Sequence, residues 1–139
     1  MVEPVASLYE NGLERYKNGE SAESLIPVFK EICDRSKKNA TAWSSLAWLY
    51  LLVDKPQQAL KAAQKGVKLD KNSPQGRVNL AIALLETETK GVREQIEIVQ
   101  RVMAFSAEIR QELAENIEDG LTRKPNWASL IRVKNWLFT

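Results

Sequence analysis

A spacing of 34 residues recurs along this chain, and no other feature restricts its architecture so strongly. Tyr9 stands 34 before Trp43, Tyr16 before Tyr50, Leu25 before Ala59 and Phe29 before Ala63. Looking forward by the same interval, Leu46 maps onto Leu80, Ala47 onto Ala81 and Tyr50 onto Leu84. A fixed period of this length marks one supersecondary unit repeated in a stack, because a single unit cannot bury its own apolar face. Each strongly patterned segment has helical period, as where Val5, Leu8, Tyr9, Leu13 and Tyr16 share one face. No stretch sustains the alternation of a strand. The pattern predicts an all-α chain of consecutive antiparallel helical hairpins.

Turn chemistry divides the helices. Asn18-Gly19 stops the first, and Ser21 is placed to cap the second. Pro27 sits inside that second stripe (Leu25, Val28, Phe29, Ile32), so the helix is expected to begin late or bend there. A third helix runs from about Ala40 to Val53, entered through Asn39 or Thr41. Pro56 and Pro74 fall in the first turns of the fourth and fifth, where a missing N–H costs nothing. After Glu86 the period decays through a longer turn. A sixth helix follows with Ile96, Val99, Val102 and Met103, and Ser106 caps a seventh carrying Ile109, Leu113, Ile117 and Leu121. Lys124-Pro125-Asn126 breaks it, and a last amphipathic helix spans about Trp127 to Phe138.

Within the central unit the residues read Trp43-x-x-Leu46-Ala47-x-x-Tyr50, a short turn, then Ala59-x-x-x-Ala63. This resembles the tetratricopeptide repeat, whose unit runs W-x-x-L-G-x-x-Y and then A-x-x-x-F. Small residues at 47 and 59 let paired helices approach, while Trp43, Leu46 and Tyr50 fill the space between them. Ala47 replaces the usual Gly, Ala63 the usual aromatic, and Leu25 the small residue of the first unit. The match covers three units, about 5–38, 39–72 and 73–104, of one domain closed by a C-terminal helical extension over 105–139. The resemblance implies a right-handed superhelical stack that holds a peptide or protein partner on its concave side, with no catalysis.

On that resemblance the groove is lined by the first helices of successive units. Trp48, Leu52, Val78, Ile82 and Leu85 are apolar beyond what hairpin packing uses, and they are assigned to partner contact. Glu10 and Glu14 would select basic flanks of the partner. They also stand where a carboxylate clamp needs Lys and Asn, so Asn79 alone argues for such a clamp and the clamp is disfavoured. Two alternatives stand beside an open groove: the C-terminal helices fold back and fill it, or a second copy covers it.

Composition narrows the function. With no His among 139 residues, imidazole acid–base catalysis and the commonest zinc ligand are absent. No motif assembles a nucleophile, base and orienting group, and no metal or cofactor is expected. The lone Cys33 makes no internal disulfide and suits a reducing, cytoplasmic compartment; it reads as a small buried hydrophobe. An organelle or membrane-surface location stays open. A net charge of +2 does not call for nucleic acid. Lys61, Lys65 and Lys68 form a basic stripe on the fourth helix, read as a solvated face because that helix carries no stacking aromatic. The basic last helix, with Trp127 and Trp136, is read as a cap on the stack in preference to a membrane-surface contact.

Overall fold

Four Ser or Asn side chains start helices by the same device. Ser21 Oγ accepts from the Ser24 amide at 3.3 Å, Asn39 Oδ1 from Ala42 at 3.1 Å, Ser73 Oγ from Gly76 at 3.0 Å and Ser106 Oγ from Ile109 at 3.2 Å. Each bond satisfies one amide that a helix start leaves without a partner. A computed structural model describes residues 3–139, and among them the elements are eight helices with no strand. They are α1 (Val5–Lys17), α2 (Ala22–Arg35), α3 (Ala40–Leu52), α4 (Pro56–Leu69), α5 (Pro74–Glu86), α6 (Val92–Phe105), α7 (Ala107–Arg123) and α8 (Ala128–Phe138).

The second helix does not begin late. It begins directly after its Ser21 cap and carries Pro27 within it. By its sixth residue the helix is already nucleated, and an exposed Pro there forfeits one backbone bond while the buried stripe of Leu25, Phe29 and Ile32 holds the rest. Asn39, rather than Thr41, caps α3.

α1–α2, α3–α4 and α5–α6 form three stacked hairpins. Ala47, Ala59 and Ala63 are at most 1% exposed, the small residues on which the paired helices approach. Phe29 fills the first hairpin, and Gly12 makes room for it: a Cβ there would lie 2.9 Å from the Phe29 ring. Two core clusters result. One joins α2, α3 and α4 through Leu25, Phe29, Ile32, Leu46 and Ala63. The other runs through Leu51, Val78, Ile82, Val99, Ile117, Leu130 and Val133, binding the third hairpin to α7 and α8. The central α5 is buried from Val78 through Leu84 without a break, as a helix with neighbours on both sides must be.

Cys33 is 1% exposed, and burial, with Asp34 adding repulsion, pushes its thiol up from 9.0 to about 12. The folded state thus holds this proton more tightly than the unfolded chain does. The associated stability is fully present below pH 9 and is lost as pH rises towards 12. At pH 8 the native thiol should react with a disulfide reagent at least roughly 100-fold more slowly than in denaturant, since attack requires both opening and ionisation. Equal rates would place Cys33 at the surface.

Candidate partner-binding cleft

Trp48 is the pivot of the concave face. It projects from α3 towards α7, where Gly120 lies against it. A Cβ on Gly120 would stand 2.9 Å from the Trp48 ring and 2.7 Å from Leu130 Cδ2, so α7 crosses at a distance only glycine permits. Trp127, just before α8, packs on the other side of Trp48 with ring centroids 5.3 Å apart at 50°. The Trp48 indole N–H donates to the Tyr16 hydroxyl at 2.9 Å, and that hydroxyl donates to Asp119. Burial first, and the bond to Asp119 second, push the Tyr16 hydroxyl well above its ordinary range, so it remains a donor at physiological pH.

Arg123 completes the seam between α7 and the first hairpin. Its guanidinium lies 3.7 Å from the Tyr16 ring centroid and donates to the carbonyls of Tyr16 at 2.5 Å and Glu20 at 3.1 Å. Lys124 donates to the Leu51 carbonyl at 2.9 Å and to Asp54 at 2.6 Å. The Trp127 N–H donates to Glu86 at 2.6 Å. The Tyr16 and Leu51 carbonyls, at the C-terminal turns of α1 and α3, thus accept from cations of the extension in addition to the Gly19 and Asp54 amides of their own turns. The last helix packs against α5, α6 and α7 with Leu130, Val133 and Leu137 buried, while Trp136 is 39% exposed.

The residues assigned to partner contact fall into three places. Val78 and Ile82 are fully buried in one cluster with Ile117, Leu130 and Val133. Leu52 and Leu85 pack half-buried against the same cluster. Val78 and Ile82 thus share a core with residues of the extension, so the apolar surplus of α5 has a neighbour within the chain. Trp48 and Asn79 border a cleft that remains open, whereas Glu10 and Glu14 stand exposed on α1.

That cleft has a volume of about 260 Å³. Leu13 and Tyr16 of α1, Ser44, Ser45 and Trp48 of α3, Gln75 and Asn79 of α5, and Asn116 and Asp119 of α7 surround it. A ladder of amides fixes one wall. Asn116 donates to Gln75 Oε1 at 2.9 Å, Gln75 donates to Asn79 Oδ1 at 2.7 Å, and Asn79 donates to the Ser44 carbonyl and hydroxyl, each at 3.0 Å. Asn79 is 1% exposed with its amide fully engaged, which explains how a polar side chain sits inside α5. Its hydrogen bonds go to the wall of the cleft, leaving no free donor for a ligand carboxylate.

Sequence reasoning did not place Tyr16, Asn116 or Asp119 at this site. The first was counted as hairpin core, and the other two belong to a helix whose docking depends on contacts 41 and 103 residues apart. Gly120, a small residue beside that helix's apolar line, is the one local sign of a close approach there, and it does not say which surface is approached. Chemically the cleft offers apolar walls, neutral amides and carboxylates. Among the described residues no group of His, Cys, Asp and Glu is arranged to hold a metal ion. No helix among them is long and apolar enough to cross a membrane.

No family model matches the sequence, and neither does any curated protein. Solved structures do match over most of the chain. The first tetratricopeptide domain of Spaghetti (RPAP3), bound to the HSP90 peptide SRMEEVD, superposes with a TM-score of 0.65 at 18% identity, covering 80% of this chain and 90% of that one. SycD, the type III secretion translocator chaperone of Yersinia enterocolitica, gives 0.69 at 16% identity, covering 91% and 96%. PcrH, in complex with the chaperone-binding region of PopD, gives 0.67 at 18% identity, covering 86% and 92%. At these identities the likeness concerns the fold. The chain is, by fold, a tetratricopeptide-like helical-repeat protein: three hairpins in a right-handed stack, capped by two C-terminal helices.

Proposed function

We propose that this chain is a non-enzymatic protein-interaction module, an adaptor or assembly factor of co-chaperone type, that holds a short segment of another protein in its concave cleft. The observation that carries this reading is that the cleft stays open although α7 and α8 cover the neighbouring stretch of the same face. Its walls come from four helices locked by hydrogen bonds, so little ordering is needed when a segment enters. A volume of about 260 Å³ admits one or two apolar side chains. Trp48 supplies the apolar contact, Ser45 and Gln75 border the entry, and Glu10 and Glu14 select basic flanks. The similar structures that hold the HSP90 peptide or the chaperone-binding region of PopD support the class of ligand.

The second reading, a structural module whose groove is filled by its own C-terminal helices, is favoured by the burial of Val78 and Ile82. The two readings divide the face between them. The partner site then lies at Trp48 and Asn79, with Leu52, Val78, Ile82 and Leu85 acting by holding the extension in place.

The test is a photo-crosslinking residue at Thr41, on the cleft border, used in native lysate with and without Ser45→Trp. The larger ring fills the cleft without touching the core. Crosslinked partner should fall roughly tenfold, while helicity and melting are unchanged. An identical crosslinked set in the two proteins would overturn the cleft as the binding site.

A further inference from the structure

A second groove lies away from the cleft, between α2 and α4, the outer helices of the first two hairpins. Its volume is about 540 Å³. Trp43, Leu46 and Tyr50 of α3 and Ala62 of α4 form an apolar floor, and Lys30, Lys37, Lys61 and Lys65 surround it. Asp34 is the single acidic residue of the lining. None of these four ammonium groups has an ion-pair partner among the described residues, and nearby Glu31 is occupied by Arg35 at 3.1 Å. Lys61 and Lys65 are like charges at i,i+4, an arrangement that opposes the helix unless an anion lies between them. The α4 stripe carries no aromatic of its own, but α3 supplies Trp43 and Tyr50 at its foot. The groove therefore joins a recessed apolar floor to a rim that is basic apart from Asp34.

We propose that this outer groove docks an acidic peptide segment bearing a bulky apolar anchor. Charge complementarity selects the acidic flanks, and the floor takes the anchor. The anchor is apolar because Trp43, Leu46 and Ala62 make up most of the floor, and the Trp43 indole N–H is already engaged, donating to the Lys37 carbonyl at 2.9 Å. A peptide fits better than a nucleic acid. The cations are all lysines, without the planar guanidinium that stacks on bases, and both aromatic rings are half-buried rather than presented face-on. A lipid surface needs protruding apolar side chains, whereas this floor is recessed. The surface is separate from the cleft, and its occupancy does not depend on the cleft's ligand.

The test uses the full chain and a fluorescein-labelled peptide, DEDLFEELLDED, read by anisotropy at low salt. Lys61→Glu with Lys65→Glu should weaken binding by at least roughly tenfold, and Lys61→Gln with Lys65→Gln by less, at unchanged helicity. A peptide with its apolar residues replaced by Ser should bind at least roughly tenfold more weakly than the parent peptide. Ser45→Trp should have no effect, which separates this groove from the cleft. Equal binding of the Ser-substituted peptide would reduce the site to diffuse charge and overturn the proposal. Tighter binding of a 12-nucleotide oligo(dT) or of phosphatidylserine vesicles would do the same. So would concentration-dependent self-association abolished by the Lys→Glu pair.

Discussion

Removal of residues 125–139 is expected to lower the melting temperature by roughly 12 °C, broaden the transition and produce strong binding of an apolar dye. The lost segment contributes Trp127, Leu130, Val133 and Leu137, all at most 8% exposed. Burial of four such side chains is worth roughly 6–12 kcal/mol, as large as the net stability of a whole domain. The freed chain regains conformational entropy, which offsets most of that and leaves a net loss of about 4 kcal/mol. The dye signal is the more telling measurement. It reports Val78, Ile82 and Ile117 meeting water once their cover is gone. A shortened chain that melts sharply, within a few degrees of the parent and without dye binding, would show α8 to be an appendage.

Gly120→Leu should destabilise the chain by about 3 kcal/mol, a fall of roughly 10 °C in thermal melting. Any side chain at this position enters space held by Trp48 and Leu130, at 2.9 and 2.7 Å from the first added carbon. Leu130 sits in a core with no exposure and has nowhere to retreat. The effect should be local as well as global. Trp48 fluorescence should shift because its stacking on Trp127 and its bond to Tyr16 both depend on where α7 lies. Combining Gly120→Leu with Leu130→Ala should recover part of the loss, since the cavity left by one accepts the other. A variant that melts like the parent would mean that α7 does not cross Trp48 closely.

The parts of this architecture that rest on local rules were legible in the residues. The 34-residue echo located three hairpins, and Ser21, Ser106 and the choice of Asn39 or Thr41 marked helix starts because an N-cap acts over three residues. Ala47 and Ala59 announced close helix approach by their size alone. What could not be read was the destination of α7. The line Ile109, Leu113, Ile117 and Leu121 says that one face is apolar, and says nothing of which surface it meets. Asp119 carries no local sign of its partner, yet it accepts from Tyr16, 103 residues earlier. Asn79 looked like a ligand-seeking amide, and its partners proved to be Gln75 and Ser44. The basic stripe of α4 lacked aromatics in its own sequence, and only packing brings Trp43 and Tyr50 beneath it.

The seam of Tyr16, Asp119 and Arg123 also sets an order of events. The hairpins are built from near neighbours in sequence and can form as soon as each is synthesised, within microseconds to milliseconds. The bond from Arg123 to Tyr16 spans 107 residues and forms only after most of the chain has left the ribosome. Until then the inner faces of α3 and α5, with Val78 and Ile82, are wet and adhesive. During its own birth the molecule passes through a state in which its concave face is longer and greasier than in the finished fold, and the last two helices act on it as a chaperone supplied in cis.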